Sequence, residues 1–76
     1  MKLRRWQNFK FKAPRFHDPA EAFFEVKLST GYIIKDCIWL NTKIETANGW
    51  YACFHAQIAD AFVPILPESI THYRRQ

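Results

Sequence analysis

A chain of 76 residues that carries seven Phe, three Trp and three Tyr is one small domain with more rings than a compact core can easily hide, so part of its aromatic surface is expected to face outward for binding. Eleven Lys and Arg against seven Asp and Glu give a net charge of +4, which argues against an acidic mimic of nucleic acid. No apolar run is long enough to cross a membrane as a helix, and Met1-Lys2-Leu3-Arg4-Arg5 is not followed by an apolar signal core, so a cytoplasmic protein is expected.

The charges are unevenly placed. Residues 1–15 hold Lys2, Arg4, Arg5, Lys10, Lys12 and Arg15 with no acid, every acid lies in residues 16–73, and Arg74 and Arg75 follow. The reading is therefore a single domain: a basic N-terminal arm over 1–15, a β body over 16–73 and a basic tail over 74–76.

In chain order, Phe9-Lys10-Phe11-Lys12 alternates with period two, which sets both phenyl rings on one side of a strand and both lysines on the other. Pro14 ends that strand. Asp18-Pro19-Ala20-Glu21 has an N-cap, a first-turn proline and an acid, enough for one helical turn. Phe23 to Leu40 then forms two apolar runs joined by Ser29-Thr30-Gly31, a hairpin closed by a glycine at positive φ. Its first arm alternates cleanly, with Phe24, Val26 and Leu28 on one face. Its second arm changes parity around Lys35-Asp36, which predicts a bulge there or a strand buried on both faces.

Asn48-Gly49 reads as a two-residue hairpin turn, which would place Cys53 opposite Ile44; an open loop over 41–49 would place Cys37 opposite Cys53 instead. Trp50 to Ala56 is the next strand. Phe62-Val63-Pro64-Ile65-Leu66 is an edge strand that tolerates its proline, Pro67-Glu68-Ser69 turns the chain, and Ile70-Thr71-His72-Tyr73 closes it. The fold expected is all-β, a five- to six-stranded antiparallel meander or small SH3-like barrel with at most one or two short helical turns. Phe24, Val26, Leu28, Ile38, Trp50, Phe54 and Leu66 are its expected core.

Leu28-Ser29-Thr30-Gly31-Tyr32-Ile33, Asn48-Gly49-Trp50 and Ile70-Thr71-His72-Tyr73 resemble, over residues 19–73, small phage and prophage proteins of unknown function that finish in a Thr-His-Trp or Thr-His-Tyr motif. The proline-rich end usual after that motif is replaced here by Arg74-Arg75-Gln76. The resemblance implies a mobile-element origin, a host-cell cytoplasm, and action by occupying the surface of a host protein.

No paired carboxylates, glycine-rich phosphate loop or nucleophile elbow is present, so no enzyme is expected. Cys37 and Cys53 are too sparse for a disulfide framework or a zinc knuckle, and no metal or other cofactor is expected. Cys53 and His55 would share a strand face, but a metal needs more ligands and a thiolate nucleophile needs an orienting third group and an oxyanion hole. Two classes remain. One is a non-catalytic protein-binding module, monomer or homodimer, that obstructs a host factor such as a defence complex, with Trp6, Phe23, Trp39 and Tyr51 as anchors. The other is nucleic-acid binding through Arg4, Arg5, Lys10, Lys12, Arg15, Arg74 and Arg75 with their interleaved rings.

Overall fold

The structure, a computed structural model, describes residues 5–14 and 23–76. Arg4, Arg15 and the helical turn expected at Asp18-Pro19 lie outside the described residues. Among the described residues six antiparallel strands form one unclosed sheet: β1 (Gln7–Asn8), β2 (Phe24–Leu28), β3 (Ile33–Thr46), β4 (Gly49–Ile58), β5 (Ala61–Pro64) and β6 (Ile70–Arg75), in the spatial order β1-β6-β2-β3-β4-β5. Strands β2 to β5 are a meander, a 3-10 turn spans Pro67–Ser69, and β6 returns to pair with β2. That is the expected all-β antiparallel architecture, with the sheet left open rather than closed into a barrel.

The β2–β3 hairpin turns on Gly31, whose φ is +88° and whose N–H donates to Leu28 O at 2.9 Å. Pairing then steps from Val26↔Ile34 to Phe24↔Cys37, so Lys35 and Asp36 bulge opposite Glu25. Asp36 has a φ of 58°, a left-handed conformation that aspartate tolerates better than most residues, and Gln76 clamps it by accepting from its N–H and donating to its carboxylate at 2.9 Å. The bulge resets which side chains face inward, so Cys37 and Trp39 both enter the core.

The β3–β4 hairpin corrects the expected register. The turn residues are Ala47 and Asn48, with Gly49 after them at φ 125° and paired with Thr46. Side chains set this choice: Asn48 N–H donates to Thr46 Oγ1 at 3.2 Å, Thr46 Oγ1 donates to Gly49 O at 2.9 Å, and Tyr51 Oη donates to Asn48 O at 3.1 Å. A second bulge, at Asn41-Thr42, shifts the register again, so Cys53 faces Leu40 rather than Ile44 or Cys37.

The core is built around Phe54, which is fully buried, with ring centroids 5.0 Å from Trp39, 5.3 Å from Phe24, 5.4 Å from Tyr73 and 5.8 Å from Phe9. Val26, Cys37, Ala56, Ile65 and Ile70 complete it. Two expected core residues are outside. Trp50 is 62% exposed, paired with Glu45 near the tip of the β3–β4 ribbon, beyond the second bulge. Leu66 is 54% exposed because β5 stops at Pro64 and Ile65 turns inward in its place. Leu28 and Ile38 are half-buried.

The strand expected at Phe9 to Lys12 does not form there: pairing falls just before it, at Gln7–Asn8 with Tyr73 and His72 of β6, and Phe9 adds one hydrogen bond from its N–H to Thr71 O at 3.0 Å. Phe11, at φ 60°, leaves the extended conformation and ends it. The two phenyl rings still lie together, 5.2 Å apart, with Phe9 in the core and Phe11 also 5.4 Å from the Tyr51 ring.

Candidate functional site

The four expected anchors are not gathered into one surface. Trp39 is 2% exposed, with its indole N–H donating to Asn41 Oδ1 at 2.9 Å, because the Lys35-Asp36 bulge turns its side of β3 inward. It is a core residue, which corrects its reading as an exposed ring. Trp6 is half-buried, with Arg74 Cζ 4.1 Å and Lys27 Nζ 4.6 Å from its ring centre, a cation–π contact that ties the N-terminal segment to β2 and β6. Tyr51 is half-buried and committed to the β3–β4 turn. Phe23 alone is open, at 44% exposure.

The basic residues divide as well. Arg74 and Arg75 belong to β6 rather than to a tail, and Arg74 forms an ion pair with Glu25 at 2.7 Å. Lys10 and Lys12, by contrast, line a groove of about 380 Å³ together with Gln7, Asn8, Ala13 and Tyr73. Among the described residues no carboxylate lines it. Tyr73 Oη donates to Gln7 Oε1 at 3.3 Å, which leaves the Gln7 amide NH2 as a donor at the groove wall.

An apolar surface lies at the opposite edge in strand order. The turn Ala59-Asp60, with Ala59 at φ 52°, leads into β5, whose four residues Ala61-Phe62-Val63-Pro64 are all exposed. Ile58 is 58% exposed, Phe62 49%, Val63 41% and Leu66 54%, so about half of each of these side chains is open to solvent. Pairing sets Ile58 beside Ala61 and Phe62 beside Gln57. Side chains alternate along a strand, so Val63 and Phe62 project to opposite faces and this edge is apolar on both. Ile65 N–H donates to Phe54 O at 2.9 Å, so alternation points the N–H and C=O of Phe62, and the C=O of Pro64, away from β4. Pro64 thus occupies a position where its missing N–H deprives the ladder of nothing. Edge strands are commonly protected by charge, and none stands between Ala61 and Pro64.

Cys53 and His55 do share a face: His55 Nδ1 lies 3.2 Å from Cys53 O and 3.9 Å from Cys53 Sγ. Burial pushes the Cys53 thiol up, against a smaller opposing effect of a backbone hydrogen bond from Ile65, whereas nucleophilic cysteines are held down. His72 Nδ1 lies 3.0 Å from Thr71 Oγ1, which in turn donates to Lys27 O at 3.2 Å, so the Thr-His pair ties β6 to β2. Among the described residues no group of three or more His, Cys, Asp and Glu gathers to hold a metal.

No family model matches this chain, and neither a curated protein nor a solved structure does. The chemistry of these surfaces therefore carries the functional reading. The β5 edge was absent from the sequence-derived sites, yet its signal was in the chain. A run as apolar as Phe62 to Leu66 that contains a proline belongs at an edge, and an edge strand without alternation exposes apolar groups whichever face it turns.

Proposed function

We propose that this protein is a non-catalytic protein-binding module that docks a partner on the β5 edge. The observation that carries the reading is the row of half-exposed apolar side chains Ile58, Phe62, Val63 and Leu66 beside backbone groups of Phe62 and Pro64 that point away from β4 and pair with no strand among the described residues. Such an edge offers both parts of strand-addition recognition: main-chain hydrogen bonds for affinity and side chains on two faces for specificity. The resemblance to small phage proteins supports a narrower form, in which the partner is a host protein, such as a defence complex, blocked by obstruction. Trp39 leaves the anchor set, since its truncation would act on the core.

The test compares tagged wild type with an Ile58→Ser/Phe62→Ser variant in host lysate with and without nuclease, with folding of both checked by thermal melts. Wild type should retain a protein partner that the variant loses. Capture that vanishes with nuclease, or that survives in the variant, would refute the β5 reading.

A further inference from the structure

We infer that the groove between β1, the segment Lys10–Ala13 and Tyr73 is a second site, one that takes the phosphodiester backbone of a single-stranded nucleic acid. This inference is independent of the β5 reading, because β1 and β5 are opposite edges of the strand order. The groove's contents point to an anion. Lys10 and Lys12 both line it, and neither forms an ion pair among the described residues. Arg74, by contrast, pairs with Glu25, and Arg74 and Lys27 sit over Trp6, while Lys35 and Lys43 are exposed but do not line the groove. Gln7 and Asn8 add amide donors, so the walls can neutralise a phosphate and also hydrogen-bond its oxygens.

A polyanion of nucleotides is favoured over an acidic peptide by what stands beside the lysines. Phe11 lies between Lys10 and Lys12 in the chain and is 45% exposed; it stands beside the groove rather than in its lining, and its ring meets those of Tyr51 and Phe9 at a tilt, with centroids 5.4 and 5.2 Å away. A pair of cations with a half-exposed ring next to them is the combination that binds single strands, since phosphates follow the charge and a base stacks on the ring's free face. An acidic peptide uses the charge but has no use for the ring. The positive φ of Phe11 interrupts the strand at this point, leaving its ring and the flanking lysines outside regular pairing.

The experiment is fluorescence anisotropy of a labelled oligothymidylate, titrated with the full chain between about 50 and 200 mM salt. Single-strand affinity scales with salt at about 0.7 log units per phosphate contact, so Lys10→Ser/Lys12→Ser should lower the slope by about 1.4 and weaken binding roughly 60-fold at about 50 mM. Lys35→Ser/Lys43→Ser removes the same charge from exposed positions away from the groove and should leave the slope unchanged. Phe11→Ala and Phe11→Leu should each weaken binding about tenfold, because leucine restores bulk without a stacking face. The site reading is overturned if wild type does not bind at low salt, or if the two lysine pairs behave alike. It is also overturned if Phe11→Leu binds as wild type does, or if polyglutamate competes as well as the oligonucleotide does. Each variant changes exposed side chains, and a melt close to wild type confirms that binding rather than folding is being read.

Discussion

Replacing Gly31 by valine isolates the cost of one backbone angle. The residue sits at φ +88°, and a Cβ built there would meet no atom within 4 Å, so the substitution adds strain without a clash. An L-residue held in the left-handed region costs about 1–2 kcal/mol, and a β-branched side chain lies at or beyond the upper end of that range. A domain of this length has a total stability of roughly 4–11 kcal/mol, so about 2 kcal/mol is a substantial share. It corresponds to a fall in Tm of about 8–16 °C. Urea denaturation of Gly31→Ala, Gly31→Asn and Gly31→Val should rank them Asn, Ala, Val in rising cost, with the m-value unchanged because the core is untouched. Equal stability of Gly31→Val and wild type would refute the strained-turn argument. A loss above about 4 kcal/mol would also refute it, since backbone strain alone cannot reach that size.

The buried thiols give two further tests. Burial first and the neighbouring Asp36 second push the Cys37 thiol up from 9.0 to about 12, so between those values the folded chain keeps a proton that the unfolded chain releases. Stability conferred this way is complete below pH 9.0 and should fall by about 1.4 kcal/mol per pH unit up to about 12; urea unfolding of Cys37→Ala across that window should show a shallower decline than wild type. Mild oxidation should not join Cys37 to Cys53: Cys53 faces Leu40, and the register carries Cys37 toward Ala56, about 10 Å further along β4, beyond disulfide reach. A rapid, quantitative intramolecular disulfide in non-reducing mass spectrometry would show that register to be wrong.

The hairpin at Gly31 and the bulge at Lys35-Asp36 were legible because each leaves a local mark, a glycine after a short polar link and a break in alternation. The proline at position 64 marked an edge for the same kind of reason. The β3–β4 register was not legible from the Asn48-Gly49 pair, since Thr46 and Tyr51 select the turn through hydrogen bonds that depend on three-dimensional placement. The exposure of Trp50 and the burial of Trp39 both follow from bulge positions in β3, and one bulge misplaced exchanges an apparent anchor for a core ring. The fate of Arg74 was hidden too, because nothing nearby in sequence announces a partner 49 positions away.

That distance has a kinetic meaning. Strands β2 to β5 can zip through short hairpins, each closing a small loop, but β6 must find β2 across most of the chain, with Thr71 reaching Lys27 over 44 positions and Arg74 reaching Glu25 over 49. Loop closure of that length exacts its entropy before any contact repays it, which places such topologies among the slower small folders, in the range of about milliseconds to seconds. Among the described residues β1 pairs with β6 alone, so its docking must wait for β6 to arrive. The lysine groove, which includes Tyr73 of β6, therefore cannot be complete before β6 docks, whereas the β5 edge rests on a hairpin of short sequence separation.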